Sequence, residues 1–213
     1  MLKMFAATAL LAAAATSASA HEIWLERHGD AVRVYVGDAT GERDSGETLA
    51  KLASTSRLFG EDRGGAISVT AQAEYLTATF AGHGDLRYYN DQVWAPWKAK
   101  DGVTEAAAFQ ARAGRKDSRA VHDFELVPVQ GAGDRFTLMF KGQPMAQTGV
   151  TIINPELWEK TIKTDAIGRL TVPVSAKGQY ILVARHTAPA EVEIAGQKVA
   201  RLQHVASLSF VAD

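Results

Sequence analysis

The chain has no cysteine and only 4 Met and 6 Pro among its 213 residues. The missing cysteine excludes a disulfide framework, a cysteine nucleophile, a thiolate metal site and an iron–sulfur cluster. Any bound metal must then rely on His, carboxylates, Met or a chain terminus. A dominant charge is missing too. Lys+Arg 23 stand against Asp+Glu 24, without the basic excess of a nucleic-acid-binding protein. After residue 20 no apolar run approaches the roughly 18 residues that span a bilayer as a helix, so the processed chain is expected to be soluble. There is no Gly-x-Ser-x-Gly elbow, no His-Glu-x-x-His and no Gly-rich loop with a lysine at phosphate-binding spacing.

What is present begins with an export signature. Residues 1–20 read as a secretory signal: Lys3, an apolar run from Met4 to Ala15, then Ala18-Ser19-Ala20. Cleavage after Ala20 makes His21 the first residue of the mature protein. Cleavage after Ala18 would instead leave Ser19-Ala20-His21, a terminus that binds Ni(II) or Cu(II) in a square plane.

Short alternating runs dominate the rest. Residues 22–25 and 32–36 flank a turn at His28-Gly29-Asp30, a hairpin signature. Further strands are expected at 67–70, 75–80, 124–129, 136–140, 149–153, 170–174, 180–186 and 199–211. Helical turns are expected at 48–53 and in the alanine-rich stretch Thr104 to Arg112, with a helical or coil excursion at Pro155 to Lys160. Gly114 to Arg119 reads as a charged linker with nothing to bury. The pattern predicts an all-β protein of two antiparallel β-sandwich domains, immunoglobulin-like or prealbumin-like, at 21–116 and 120–213. A single sheet continuing across residue 117 would contradict that division.

Six histidines, at 21, 28, 83, 122, 186 and 204, are the soft ligands available besides methionine. Once Ala20 is removed, His21 offers an amine and a ring nitrogen as a bidentate chelate. His122, His186 and His204 are the candidates to complete a metal site from the folded body. His83 lies in the glycine-flanked turn Gly82-His83-Gly84. Tyr88 to Trp97 carries clustered aromatics suited to packing on a sandwich edge, or to holding a sugar or a partner loop.

The opening His21-Glu22-Ile23-Trp24-Leu25-Glu26 resembles that of the NikM-like family of exported proteins, and Phe124-Glu125-Leu126-Val127-Pro128-Val129 is similar to that family's second marker. The resemblance implies a prealbumin-like C-terminal sandwich. It also implies a periplasmic component of nickel or cobalt uptake, working beside a TonB-dependent receptor or a metal transporter. Three functions stay open: a divalent-metal carrier for Ni, Co or Cu, a copper-dependent oxidative enzyme with an N-terminal histidine, and a metal-free receptor-coupling sandwich.

Overall fold

The alternating runs fold as strands wherever one of their faces finds a layer to cover it. In the computed structural model residues 21–60 and 65–213 are described; the expected signal segment, 1–20, lies outside the described residues. β1 (Glu22–His28) and β2 (Ala31–Gly37) form the expected hairpin, paired from Glu22↔Gly37 to His28↔Ala31. The expected helix is α1 (Glu47–Thr55), which buries Leu49 and Leu52. Then come β3 (Arg57–Phe59), β4 (Ala66–Ile67), β5 (Thr70–Ala71), β6 (Leu76–Thr79), β7 (Leu86–Asn90), β8 (Trp97–Lys98) and β9 (Thr104–Ala113). The second half holds β10 (Phe124–Pro128), β11 (Arg135–Phe140), β12 (Gln143–Pro144), β13 (Gly149–Ile153), β14 (Glu159–Lys163) and β15 (Arg169–Thr171). It closes with the long hairpin β16 (Gly178–Ile194) and β17 (Gln197–Ala212).

The protein is all-β, in three layers. A nine-stranded sheet, ordered β14-β13-β16-β17-β9-β7-β3-β4 with β8 on β9, forms the middle. Side chains alternate across it. Ile181, Val183, Val205, Phe109 and Ala111 pack with Trp24, Leu25 and Val34 of the sheet β1-β2-β6-β5. Tyr180, Leu182, Ala206, Leu208 and Phe210 face the other way, against Phe124, Leu126, Phe136 and Leu138 of the sheet built on β10 and β11. On the first side Ser207 Oγ also donates to Ile23 O at 2.5 Å, tying the layers together.

Two expectations need correction. Thr104 to Arg112 is not helical but the core of β9. Alanine favours helices in isolation, yet here it sits in a central strand between β17 and β7, where small side chains let layers close on both faces. Nor are 21–116 and 120–213 separate sandwiches. β9 pairs in parallel with β17 from Glu105↔Arg201 to Ala113↔Ser209, so the two cores share one sheet.

The expected linker is also anchored. Arg112 Nε and Nη2 donate to Asp85 Oδ2 at 3.1 and 2.5 Å, and Arg112 Nη1 to Glu125 Oε1 at 3.0 Å. Arg87 Nε donates to the same Glu125 Oε1 at 2.8 Å, and its Nη2 to Asp117 Oδ2 at 3.0 Å. Backbone N–H groups of Lys116 and Asp117 reach Asp85 Oδ2 at 3.1 Å. Those of Val121 and His122 reach Glu125 Oε2 at 2.6 and 3.0 Å. Both arginine side chains are 0% exposed. Burial alone would raise the Glu125 pKa, but the charges of His122, Arg112 and Arg87 outweigh it and hold the carboxyl below its ordinary value. The linker is thus held by buried charges on its neighbours, Asp85, Arg87, Arg112 and Glu125, with its own Asp117 joining them while Lys116 and Arg119 stay exposed.

Candidate functional site

The opening motif divides into the half-exposed His21, the buried residues 22–25 and a partly buried Glu26. Ile23, Trp24 and Leu25 lie in the core, Trp24 stacked on Tyr35 at 5.2 Å. Trp24 Nε1 donates to Glu26 Oε1 at 3.1 Å. Glu22 is buried, accepting from Ala39 N at 3.1 Å and from Arg185 Nη2 at 2.7 Å. Burial raises the Glu22 pKa despite both partners. This pins the start of β1 to β16, so the backbone next to His21 belongs to a rigid element.

His21 is 43% exposed at its side chain, with Nε2 3.2 Å from Asp44 Oδ1. Its ring meets Trp94 edge-on at 5.4 Å, and Trp94 in turn packs on Phe109 at 5.2 Å. Asp44 is delivered by a fold-back after β2. Gly37 takes φ +131, and a Cβ there would meet Glu42 O at 2.5 Å, so only glycine lets the chain return this closely. Asp44 N then donates to Val36 O at 2.8 Å, while Arg43 stacks over Tyr35 at 4.3 Å. A carboxylate only accepts. In the neutral ring Nε2 therefore carries the proton and Nδ1 keeps its lone pair, on the side of the ring nearer the backbone nitrogen.

The other expected ligands lie elsewhere. His186 and His204 are cross-strand partners on β16 and β17, both edge-on to Phe140 at 4.6 and 5.1 Å. By parity they face the β10–β11 layer, whereas His21 lies on the opposite side of the central sheet. His186 does not end its strand, which runs on to Ile194. Gln110 Oε1 accepts from Phe124 N at 2.9 Å, which turns its amide nitrogen onto His204 Nδ1 at 3.2 Å and occupies that lone pair. Burial, followed by the nearby His186 and Lys141, pushes the His204 pKa down to about 4 against the pull of Asp123. His122 is buried against Phe59 and Tyr89, with ring centroids at 5.6 and 6.5 Å.

The expected set His21, His122, His186 and His204 thus does not assemble. Among the described residues no group of three or more His, Asp or Glu side chains is placed to hold a metal ion. His83 lines a broad cleft of about 740 Å³ with Arg27 and Lys116, well apart from His21. Asp44 escaped sequence reasoning because a lone aspartate in a polar loop carries no periodic or motif mark. Comparison with protein-family models, curated proteins and solved structures finds no match.

Proposed function

We propose that the exported chain is a periplasmic divalent-metal-binding protein that takes up Ni, Co or Cu at its processed N-terminus and assists their uptake. The observation that carries this reading is Asp44 on His21 Nε2. A carboxylate behind one ring nitrogen orients the imidazole and raises the basicity of the other, as the outer shell of a metal-bound histidine does. With the Ala20–His21 bond cut, the α-amine and Nδ1 belong to one residue and close a chelate ring on an ion. Two nitrogen donors suit Cu(II), Ni(II) and Co(II). The donor set leaves the ion open to other ligands, which favours transfer to a receptor or transporter. The resemblance to the NikM-like family points the same way. A copper enzyme bracing its metal between His21 and a second imidazole gains no support from His122, His186 or His204 where they lie.

The test is a titration of Cu(II) and Ni(II) into the chain beginning at His21 and into the same chain acetylated on its α-amine. Acetylation keeps the ring, Asp44 and the fold but removes one donor. At least a tenfold loss of affinity is expected. Equal affinity would refute the chelate.

A further inference from the structure

The central sheet ends on β14, whose outer edge pairs with no described strand. Glu159, Lys160, Thr161 and Lys163 are exposed there. Backbone bonds from Thr164 N to Thr148 O (2.9 Å) and from Asn154 N to Trp158 O (3.0 Å) frame its inner side. With Thr151 opposite Thr161, hydrogen-bonded pairs alternate along the ladder. Residues 158, 160, 162 and 164 therefore turn their backbone groups inward. Glu159, Thr161 and Lys163 present N–H and C=O outward.

Lysines on an edge strand ordinarily repel another strand. Here their spacing fits one partner. If two copies meet antiparallel about a twofold axis through Thr161, Glu159 stands opposite Lys163 of the second copy and Lys163 opposite its Glu159. Thr161 faces Thr161. All three outward-facing residues then fall in hydrogen-bonded pairs, with opposite charges across from each other. Moving the axis to residue 160 sets Lys160 against Lys160 and leaves Lys163 without a backbone partner. Moving it to 162 sets Lys163 against Thr161 and leaves Glu159 without one. Among the described residues neither Lys160 nor Lys163 has an ion pair within the chain.

The apolar surface agrees. Among the described residues the three most exposed large hydrophobic side chains are Trp158 at 75%, Leu157 at 58% and Ile167 at 56%, and all flank β14. Asn154 Oδ1 accepts from Glu156 N at 3.1 Å and Trp158 N at 2.8 Å, holding Leu157 at φ +62, a left-handed conformation that costs a branched side chain energy. The tight Asn154–Trp158 turn, the coil form of the expected excursion, ends where Glu159 and Lys160 enter β14 and fixes Leu157 and Trp158 at one end of the strand. The Asp165–Gly168 turn places Ile167 just beyond the other. A twofold axis at Thr161 brings residue 158 of each copy opposite residue 164 of the other, beside the turn that carries Ile167.

We propose that β14 is a self-complementary edge through which two copies of this chain form an isologous dimer, joining their central sheets into one. The test is sedimentation equilibrium of the processed chain against four variants, with circular dichroism to confirm the fold of each. Thr161→Pro removes an outward N–H and the Thr161 Oγ1–Thr151 Oγ1 hydrogen bond (3.1 Å) but no backbone bond to β13. It is expected to weaken dimerisation at least tenfold. Glu159→Lys and Lys163→Glu each create two like-charge pairs and are expected to do the same. The double variant E159K/K163E, which exchanges the charges, is expected to restore the dimer. A native chain that stays monomeric at every concentration, a dimer indifferent to these changes, or a double variant that fails to recover would each overturn the proposal.

Discussion

Replacing Glu125 by Gln probes the ionic staple that turns two half-chain cores into one molecule. One carboxylate there serves four donors: Arg87 Nε and Arg112 Nη1 on one oxygen, and Val121 N and His122 N on the other. Glutamine keeps a single acceptor and sets an NH2 group against N–H donors. Arg87 and Arg112 stay buried, with only Asp85 and Asp117 to compensate them. Removing one member of a buried charge cluster costs about 3–5 kcal/mol, because the stranded charge cannot reach water. For a chain of this size that is a fall in Tm of about 6–20 °C. The loss concentrates where the staple holds residues 115–122, so tryptic cleavage at Arg115, Lys116 and Arg119 should accelerate well before global unfolding. Thermal unfolding followed by fluorescence, with timed proteolysis, measures both. A shift under about 2 °C with unchanged cleavage would refute the reasoning.

Three further outcomes follow from the same structure. Burial holds the His204 pKa at about 4 in the folded chain, below the ordinary imidazole value of about 6.5. The unfolded chain therefore gains a proton first as pH falls, and stability that is complete above pH 6.5 declines toward pH 4, by up to about 3 kcal/mol. In His204→Asn, which keeps an acceptor for Gln110 but cannot take the proton, Tm should fall less over that interval; an identical decline would remove His204 as the cause. Gly37→Ala forces a Cβ against Glu42 O and a positive φ, so a loss of about 2 kcal/mol in chemical unfolding and weaker Ni(II) binding are expected together. Asp44→Ala should leave Tm within about 2 °C of native and weaken Cu(II) binding about tenfold by calorimetry.

Much of the fold is written locally. The β1–β2 hairpin, α1, β6 and most strands of the second half follow from alternation and turn residues, which act between near neighbours; β3 and β7 carried no such mark, and the expected strand 67–70 splits into β4 and β5 of different sheets. β9 did not, because its alanines score as helix until β17 and β7 cover them, and a parallel pairing to a strand a hundred residues away leaves no local trace. The same holds for Arg87 and Arg112 and for Asp85, Asp117 and Glu125 that pair with them. Charged residues read as solvated unless their partners are known, and those partners come from four different segments. At the candidate site His21 was legible from its place after the small residues 18–20. The remaining histidines were not, since face parity on β16 and β17 decides which side of the central sheet each occupies, and parity alone does not reveal which layer holds His21.

The most direct measurement is calorimetric titration of Ni(II) and Cu(II) into the chain beginning at His21, side by side with His21→Ala. The substituted side chain is half-exposed and leaves no core cavity, so the fold should persist with Tm unchanged. Affinity should drop tenfold or more, at least about 1.4 kcal/mol. Equal affinity in the two proteins would contradict the account and remove His21 from any metal site.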